Sequence, residues 1–180
     1  MESALIQQEA QRLYKSLGNI TRLDGNKYSL EDCLRFAPLT RQINELKKEK
    51  NALILTHYYC TPEIIFGISD VVGDSYGLSK KAAAAAQDII IFCGVSFMAQ
   101  TAKLVNPTKK VFLPPNYAGC SLAQSITASE VSDLRKQYPK AQFICYINST
   151  AEVKALCDVC VTSANVFDIV YINCQGYPSL

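Results

Sequence analysis

The chain has 180 residues, 18 Lys and Arg against 16 Asp and Glu, and a formal net charge of +2. A chain of this length buries roughly 70% of the surface its unfolded form exposes, enough for a sizeable core without disulfide staples. Its small, scattered charge offers no field to steer a nucleic acid or an anionic membrane, so neither is expected as a partner.

The longest apolar runs, 88–95 and 52–56, fall far short of the roughly 18–20 residues that span a bilayer. Glu2, Glu9 and the glutamines between them break the layout of a signal peptide. A cytoplasmic location is the resulting expectation, with the eight cysteines as reduced thiols.

Residues 2–17 carry an amphipathic helical pattern closed by Gly18, and 19–28 form a polar connection with the turn signal Asp24-Gly25-Asn26. Ser29-Leu30-Glu31-Asp32 predicts a helix start with an acidic first turn. Beyond Pro38, Leu39, Ile43 and Leu46 recur at helical spacing up to a Lys-rich end at 47–50.

From Ala52 onward one unit repeats: a short apolar run suited to a strand buried on both faces, polar loop residues, then a helix. Strands are predicted at 52–56, 88–93, 110–113, 142–147, 158–162 and 169–173. Helices are predicted at 75–86, 96–105, 127–137 and 149–156, the last two opened by the capping boxes Thr127-x-x-Glu130 and Ser149-x-x-Glu152. The fold class is therefore α/β, with repeated three-layer αβα units on parallel sheets. A helical leader is expected over 1–46, a first αβα domain over 47–115 and part of a second over 116–180. The break falls within 114–123, where two prolines and Gly119 interrupt the pattern.

Ligands of open parallel sheets bind beyond the carboxyl ends of the strands, where helix N-termini also offer free N–H groups. Those positions hold His57-Tyr58-Tyr59, Gly94-Val95-Ser96, 116–121 around Cys120, Tyr146-Ile147-Asn148-Ser149-Thr150 and Thr162-Ser163-Ala164-Asn165. His57 is the only histidine, at a strand-to-loop transition where an imidazole can exchange a proton near neutral pH, or simply hydrogen-bond a strand end. Tyr59 is a second polar handle, and Tyr58, pointing the opposite way, is expected to be packed. Gly73-Asp74-Ser75 suits an anion cradle at a helix start and equally suits an ordinary turn.

Cys93 and Cys145 lie in apolar strand-like runs and are expected as packing residues. Cys120, in a loop between Gly119 and Ser121, is placed to expose a thiolate. Cys157-Asp158-Val159-Cys160 is a C-x-x-C without a second pair or a nearby histidine. It leaves a zinc or dithiol-redox module as a minor alternative.

Taken in order, His57-x-Tyr59, Gly73-Asp74-Ser75, Phe92-x-Gly94-Val95-x-Phe97-Met98-Ala99, Ala118-x-Cys120, Tyr146-Ile147-Asn148-Ser149-Thr150-Ala151-Glu152 and Thr162-Ser163-Ala164-Asn165 resemble quinolinate synthase, over residues 47–165. The resemblance implies three αβα domains in pseudo-threefold array, each giving one cysteine to a 4Fe-4S cluster with one open iron. It implies condensation of iminosuccinate with dihydroxyacetone phosphate to quinolinate in NAD biosynthesis, with a functional link to L-aspartate oxidase.

By the same resemblance Cys120 matches a cluster ligand and Cys93 does not, while His57 and Tyr59 match catalytic groups, His57 also touching substrate. Ser75, Asn148 and Ser163 match the holders of substrate carboxylates, with Tyr146 and Ile147 on the same wall. Two departures stand out: the 62–75 segment is one residue longer than the usual pattern, and Gln100 stands where Glu is typical. Cys174 lacks the flanks of the second cluster cysteine. The chain is therefore expected to be truncated before a third domain, the alternative being a catalytically inactive α/β fragment or a binding subunit without a cluster.

Overall fold

A computed structural model of the chain describes residues 2–114 and 118–173. Helix α1 (Glu2–Leu17) packs on α2 (Leu30–Glu49), and Ala10, Leu13 and Leu17 meet Tyr28, Cys33 and Ala37 in a small core of their own. Ser29 opens α2 with a capping box: its hydroxyl accepts from the Asp32 N–H, and the Asp32 carboxylate accepts from the Ser29 N–H at 2.9 Å. The helix runs unbroken through Pro38. Between the two helices the predicted turn is present, with Gly25 at φ +83°, where a Cβ is disfavoured, and Asn26 N–H donating to Asp24 Oδ1 at 2.9 Å.

The remaining chain alternates strand and helix. β1 (Ala52–His57), α3 (Pro62–Gly67), β2 (Val71–Gly73), α4 (Ser75–Ala83), β3 (Ile89–Cys93), α5 (Ser96–Leu104) and β4 (Lys110–Phe112) make a four-stranded parallel sheet of order β2-β1-β3-β4 with its helices. Register pairs Leu53 with Ile90 and Leu55 with Phe92, so these side chains share one face. There they meet Leu78 and Ala82 of α4 and Phe97, Met98 and Ala102 of α5 in the main core. Ile54 and Thr56, also buried, point to the other face, where the Thr56 hydroxyl pairs with Ser69 at 2.5 Å.

Then follow α6 (Ala128–Gln137), β5 (Ile144–Tyr146), α7 (Ala151–Ala155), β6 (Val159–Val161) and α8 (Val166–Asn173). β5 and β6 form a separate parallel pair over a small core of Val131, Cys145 and Val153. The predicted capping box Thr127-x-x-Glu130 is formed. Asp158 ties the two strands at their base, accepting from Phe143 N–H at 2.8 Å and from Arg135 at 2.7 Å. The two sheets meet through α5 and α7: Gln100 Oε1 accepts from Ala151 N–H at 3.0 Å and Lys154 Nζ donates to Thr101 Oγ1 at 2.7 Å.

Three expectations are corrected. The 169–173 run, predicted as a strand because it is a short apolar run, lies in helix α8. Asn165 turns the chain there, its carboxamide oxygen accepting from both the Thr162 N–H and hydroxyl, and Val166 N–H and Ile169 N–H continue the turn to Thr162 and Asn165 carbonyls. The cap of α7 is Thr150, whose hydroxyl accepts from Val153 N–H at 3.3 Å, and Ser149, the predicted cap, is buried one residue outside it. Tyr58 is 61% exposed, not packed, because β1 ends at His57 and the strand alternation that would turn Tyr58 inward stops there.

Candidate active site

The carboxyl ends of the parallel strands carry nearly every polar residue singled out above. His57 closes β1, paired in register with Gly73, which closes β2 and leads through Asp74 to Ser75. The imidazole is 7% exposed, and its Nδ1 accepts from the Tyr59 N–H at 3.2 Å, so the ring proton sits on Nε2. Burial lowers the His57 pKa below its ordinary value against the opposing charge of Asp74, favouring the neutral ring. Tyr59 is 92% exposed, its ring edge-on to His57 at 4.5 Å.

Asp74, not Ser75, caps α4, accepting from Gly77 N–H at 2.7 Å; Ser75 is the half-buried first residue of the helix. At the end of β3, a Cβ on Gly94 would come within 3.2 Å of both Met98 Sδ and the Phe92 ring, so the strand-to-helix turn is close-packed. Ser96 then donates from both its N–H and its hydroxyl to the Ala118 carbonyl, each at 2.7 Å. This fastens the loop bearing Cys120 to the N-terminus of α5. The Cys120 thiol is half-buried against the main core, while Asn116 and Cys174 lie outside the described residues.

On the second sheet Tyr146 is 42% exposed, Ile147 is buried with its N–H donating to the Val161 carbonyl at 2.8 Å, and Asn148 is half-buried. Thr162 is buried and engaged with Asn165, leaving Ser163 as the exposed hydroxyl of the loop. These groups open on different concavities. Tyr59 lines one of about 420 Å³ with Arg22, Tyr28 and Glu63; Tyr146 and Asn148 line another of about 250 Å³. Ile147 lines a third of about 390 Å³ with Tyr76, Lys154 and Thr162.

Two participants escaped the sequence. Cys60 donates its thiol to the Cys93 carbonyl at 3.2 Å and its N–H to the His57 carbonyl, bracing the β1 and β3 ends. Glu63 keeps a buried carboxylate oxygen without a hydrogen-bond partner, beside the Tyr28 hydroxyl, whose pKa burial and Glu63 push up to about 12. Its only sequence signal was an acid directly after Pro62.

Residues 41–176 match the family model described as Quinolinate synthetase A protein. The chain belongs to this family. It is 53% identical over 132 residues to the quinolinate synthase of Aquifex aeolicus, covering 73% of this chain and 41% of that protein. To the quinolinate synthase of Caulobacter vibrioides strain NA1000 it is 50% identical, covering 74% of this chain and 36% of that protein. For the Clostridioides difficile quinolinate synthase the identity is 51%, with 73% of this chain and 43% of that protein covered. The chain thus spans about two-fifths of the length of these relatives. The family match includes the loops after β1, β2, β3, β5 and β6, so the polar groups described above lie within the shared region.

Proposed function

We propose that this chain forms part of a quinolinate synthase active site, acting with iminosuccinate and dihydroxyacetone phosphate in NAD biosynthesis and taking its imine from an L-aspartate oxidase. The observation that carries this is family membership joined to the position of the polar loops, each following the carboxyl end of a parallel strand. In this proposal 1–46 is a leader, 47–115 a first αβα domain and 116–180 part of a second. The assignment of β4 and β5 to different sheets supports a break at 114–123.

His57 offers its Nε2–H to a substrate oxygen and, being neutral, can hold or return a proton there; Tyr59 adds a phenol beside it. Ser75, Asn148 and Ser163 are short neutral donors suited to carboxylates, with Tyr146 and the Ile147 backbone as the adjoining wall. An iron–sulfur cluster, where bound, supplies Lewis acidity toward substrate oxygens. Among the described residues no three His, Cys, Asp or Glu are grouped to hold a metal, and Cys120 is the one thiolate proposed for a cluster. The described residues therefore do not fit a complete cluster.

The test is anaerobic incubation of the chain with iron and sulfide, alone and with a polypeptide matching the rest of the relatives' length, reading iron per chain and quinolinate formed. Cluster and activity are expected only with the added polypeptide, and both are lost in Cys120→Ser. Activity indifferent to Cys120→Ser and His57→Ala sinks the proposal. A second reading, motivated by the isolation of Cys120, is a carboxylate-binding chain without a cluster. It predicts no iron uptake in either mixture and calorimetric binding of a dicarboxylate that Asn148→Ala weakens.

A further inference from the structure

The C-x-x-C pair pointed to Cys157 and Cys160, but the fold gives Cys160 a different neighbour. β5 and β6 run parallel with Cys145 opposite Cys160 in register, so the two side chains leave the same face of the sheet. Adjacent strands lie roughly 4.8 Å apart, inside the roughly 4.4–6.8 Å Cα separation that disulfides occupy. On that shared face each thiol lies within electrostatic reach of the other. Cys145 is buried and Cys160 exposed, the arrangement of an outer attacking thiol backed by an inner resolving one. The Lys154 ammonium of α7, anchored on Thr101 Oγ1, directs its charge at both.

We propose that Cys145 and Cys160 form a cross-strand dithiol that low-molecular-weight disulfides oxidise to an intramolecular disulfide. The Cys160 thiolate attacks one sulfur of the small disulfide, forming a mixed disulfide and expelling one thiolate. Cys145 then loses its proton and attacks the Cys160 sulfur, closing the protein disulfide and expelling the second thiolate. The dithiol gives up two electrons and two protons, and the small disulfide leaves as two thiols.

The electrostatics fit this order. The neighbouring Cys145 thiol and then the Lys154 ammonium hold Cys160 below its ordinary value against partial desolvation, which favours Cys160 as the attacking thiolate. Cys145 itself is pushed up, first by its Cys160 neighbour. Cys157, which also lies beside Cys145, is raised by burial and lags. The bond would join the stems of two loops, Cys145 lying three residues before Asn148 and Cys160 three before Ser163.

The test uses the full 180-residue chain with oxidised glutathione near neutral pH, alkylation of remaining thiols and tryptic digestion without reduction. Cys145 falls on peptide 141–154 and Cys160 on 155–180, so the expected product is these two peptides joined and lighter by two hydrogens, with Cys157 and Cys174 both alkylated. Cys157→Ser keeps the cross-link, Cys160→Ser loses it, and Lys154→Met, in which 141–180 is a single tryptic peptide, slows the disappearance of free Cys145 and Cys160 thiols several-fold. Alkylated Cys145, a Cys145–Cys157 bond, or a Cys157–Cys160 bond as the main product overturns the proposal. The wild-type map decides this without any variant or activity, so it stands or falls apart from the proposed function.

Discussion

The four-stranded sheet and the β5–β6 pair are built from the same strand–helix alternation, yet they bury very different amounts. In the first, Leu55, Ile90 and Phe92 are fully inaccessible and two helices close over them. In the second, β6 runs half-buried Val159, exposed Cys160 and buried Val161, over a core centred on three residues. A central parallel strand has neighbours on both edges and helices above, whereas each strand of a pair leaves one edge and part of a face unfilled. The first sheet thus supplies stability, and the second carries its polar and thiol groups where small molecules reach them.

The sharpest way to break this contrast is Phe92→Ala, expected to cost about 3–5 kcal/mol by urea denaturation because Phe92 sits at 0% exposure amid both core helices. A loss under about 1 kcal/mol would mean the main core is not where stability resides. Val153→Ala removes two methyls from the smaller core and should cost about 2 kcal/mol. Hydrogen exchange should quicken in β5, α7 and β6 while β1 and β3 stay protected; uniform loss of protection would make the two sheets one cooperative unit.

Thr150→Ala removes the cap of α7 and is expected to lower stability by about 1 kcal/mol, seen in the thermal midpoint, while Glu152→Ala leaves it unchanged. The reverse ranking would restore the capping box predicted around Ser149. The smallest effect is that of His57. Its folded pKa lies below the unfolded one, so the unfolded chain takes up the proton first, and stability present above the ordinary histidine value of about 6.5 declines as pH falls through it. The thermal midpoint should fall as pH drops from neutral through the ordinary histidine value, and His57→Gln should flatten that decline; the carboxylates held low, such as Asp158 and Glu130, act only nearer their own range of about 4.

Legibility followed the range of the interactions. The runs at 52–56 and 88–93 emerged as β1 and β3 because a strand buried on both faces must be apolar throughout. The helix start at Ser29 and the capping box at Thr127 were readable because their signals lie within four residues, though the box at Ser29 itself showed only in the structure. β2 was not, since Val71–Gly73 is too short to show a period and becomes a strand by pairing with Leu55, Thr56 and His57. The 169–173 run misled because a short apolar run suits a buried strand and a buried helical turn alike, and the Asn165 turn decided for the helix. For the site, the positions after the strand ends were visible in order, while the bracing of His57 by Tyr59 and Cys60 needed the folded loop.

What the sequence by itself determined is the α/β alternation, the starts of α2 and α6 and the placement of polar residues at strand ends, all consequences of local spacing and of apolar runs that must be buried. Only the tertiary structure decided that Cys160 faces Cys145 across a strand pair rather than Cys157 along the chain, that Gln100 receives the N-terminus of α7, and that His57 is neutral with its proton on Nε2. Each of these rests on register, packing between elements or the desolvation of a pocket, and none is encoded in the spacing of neighbouring residues.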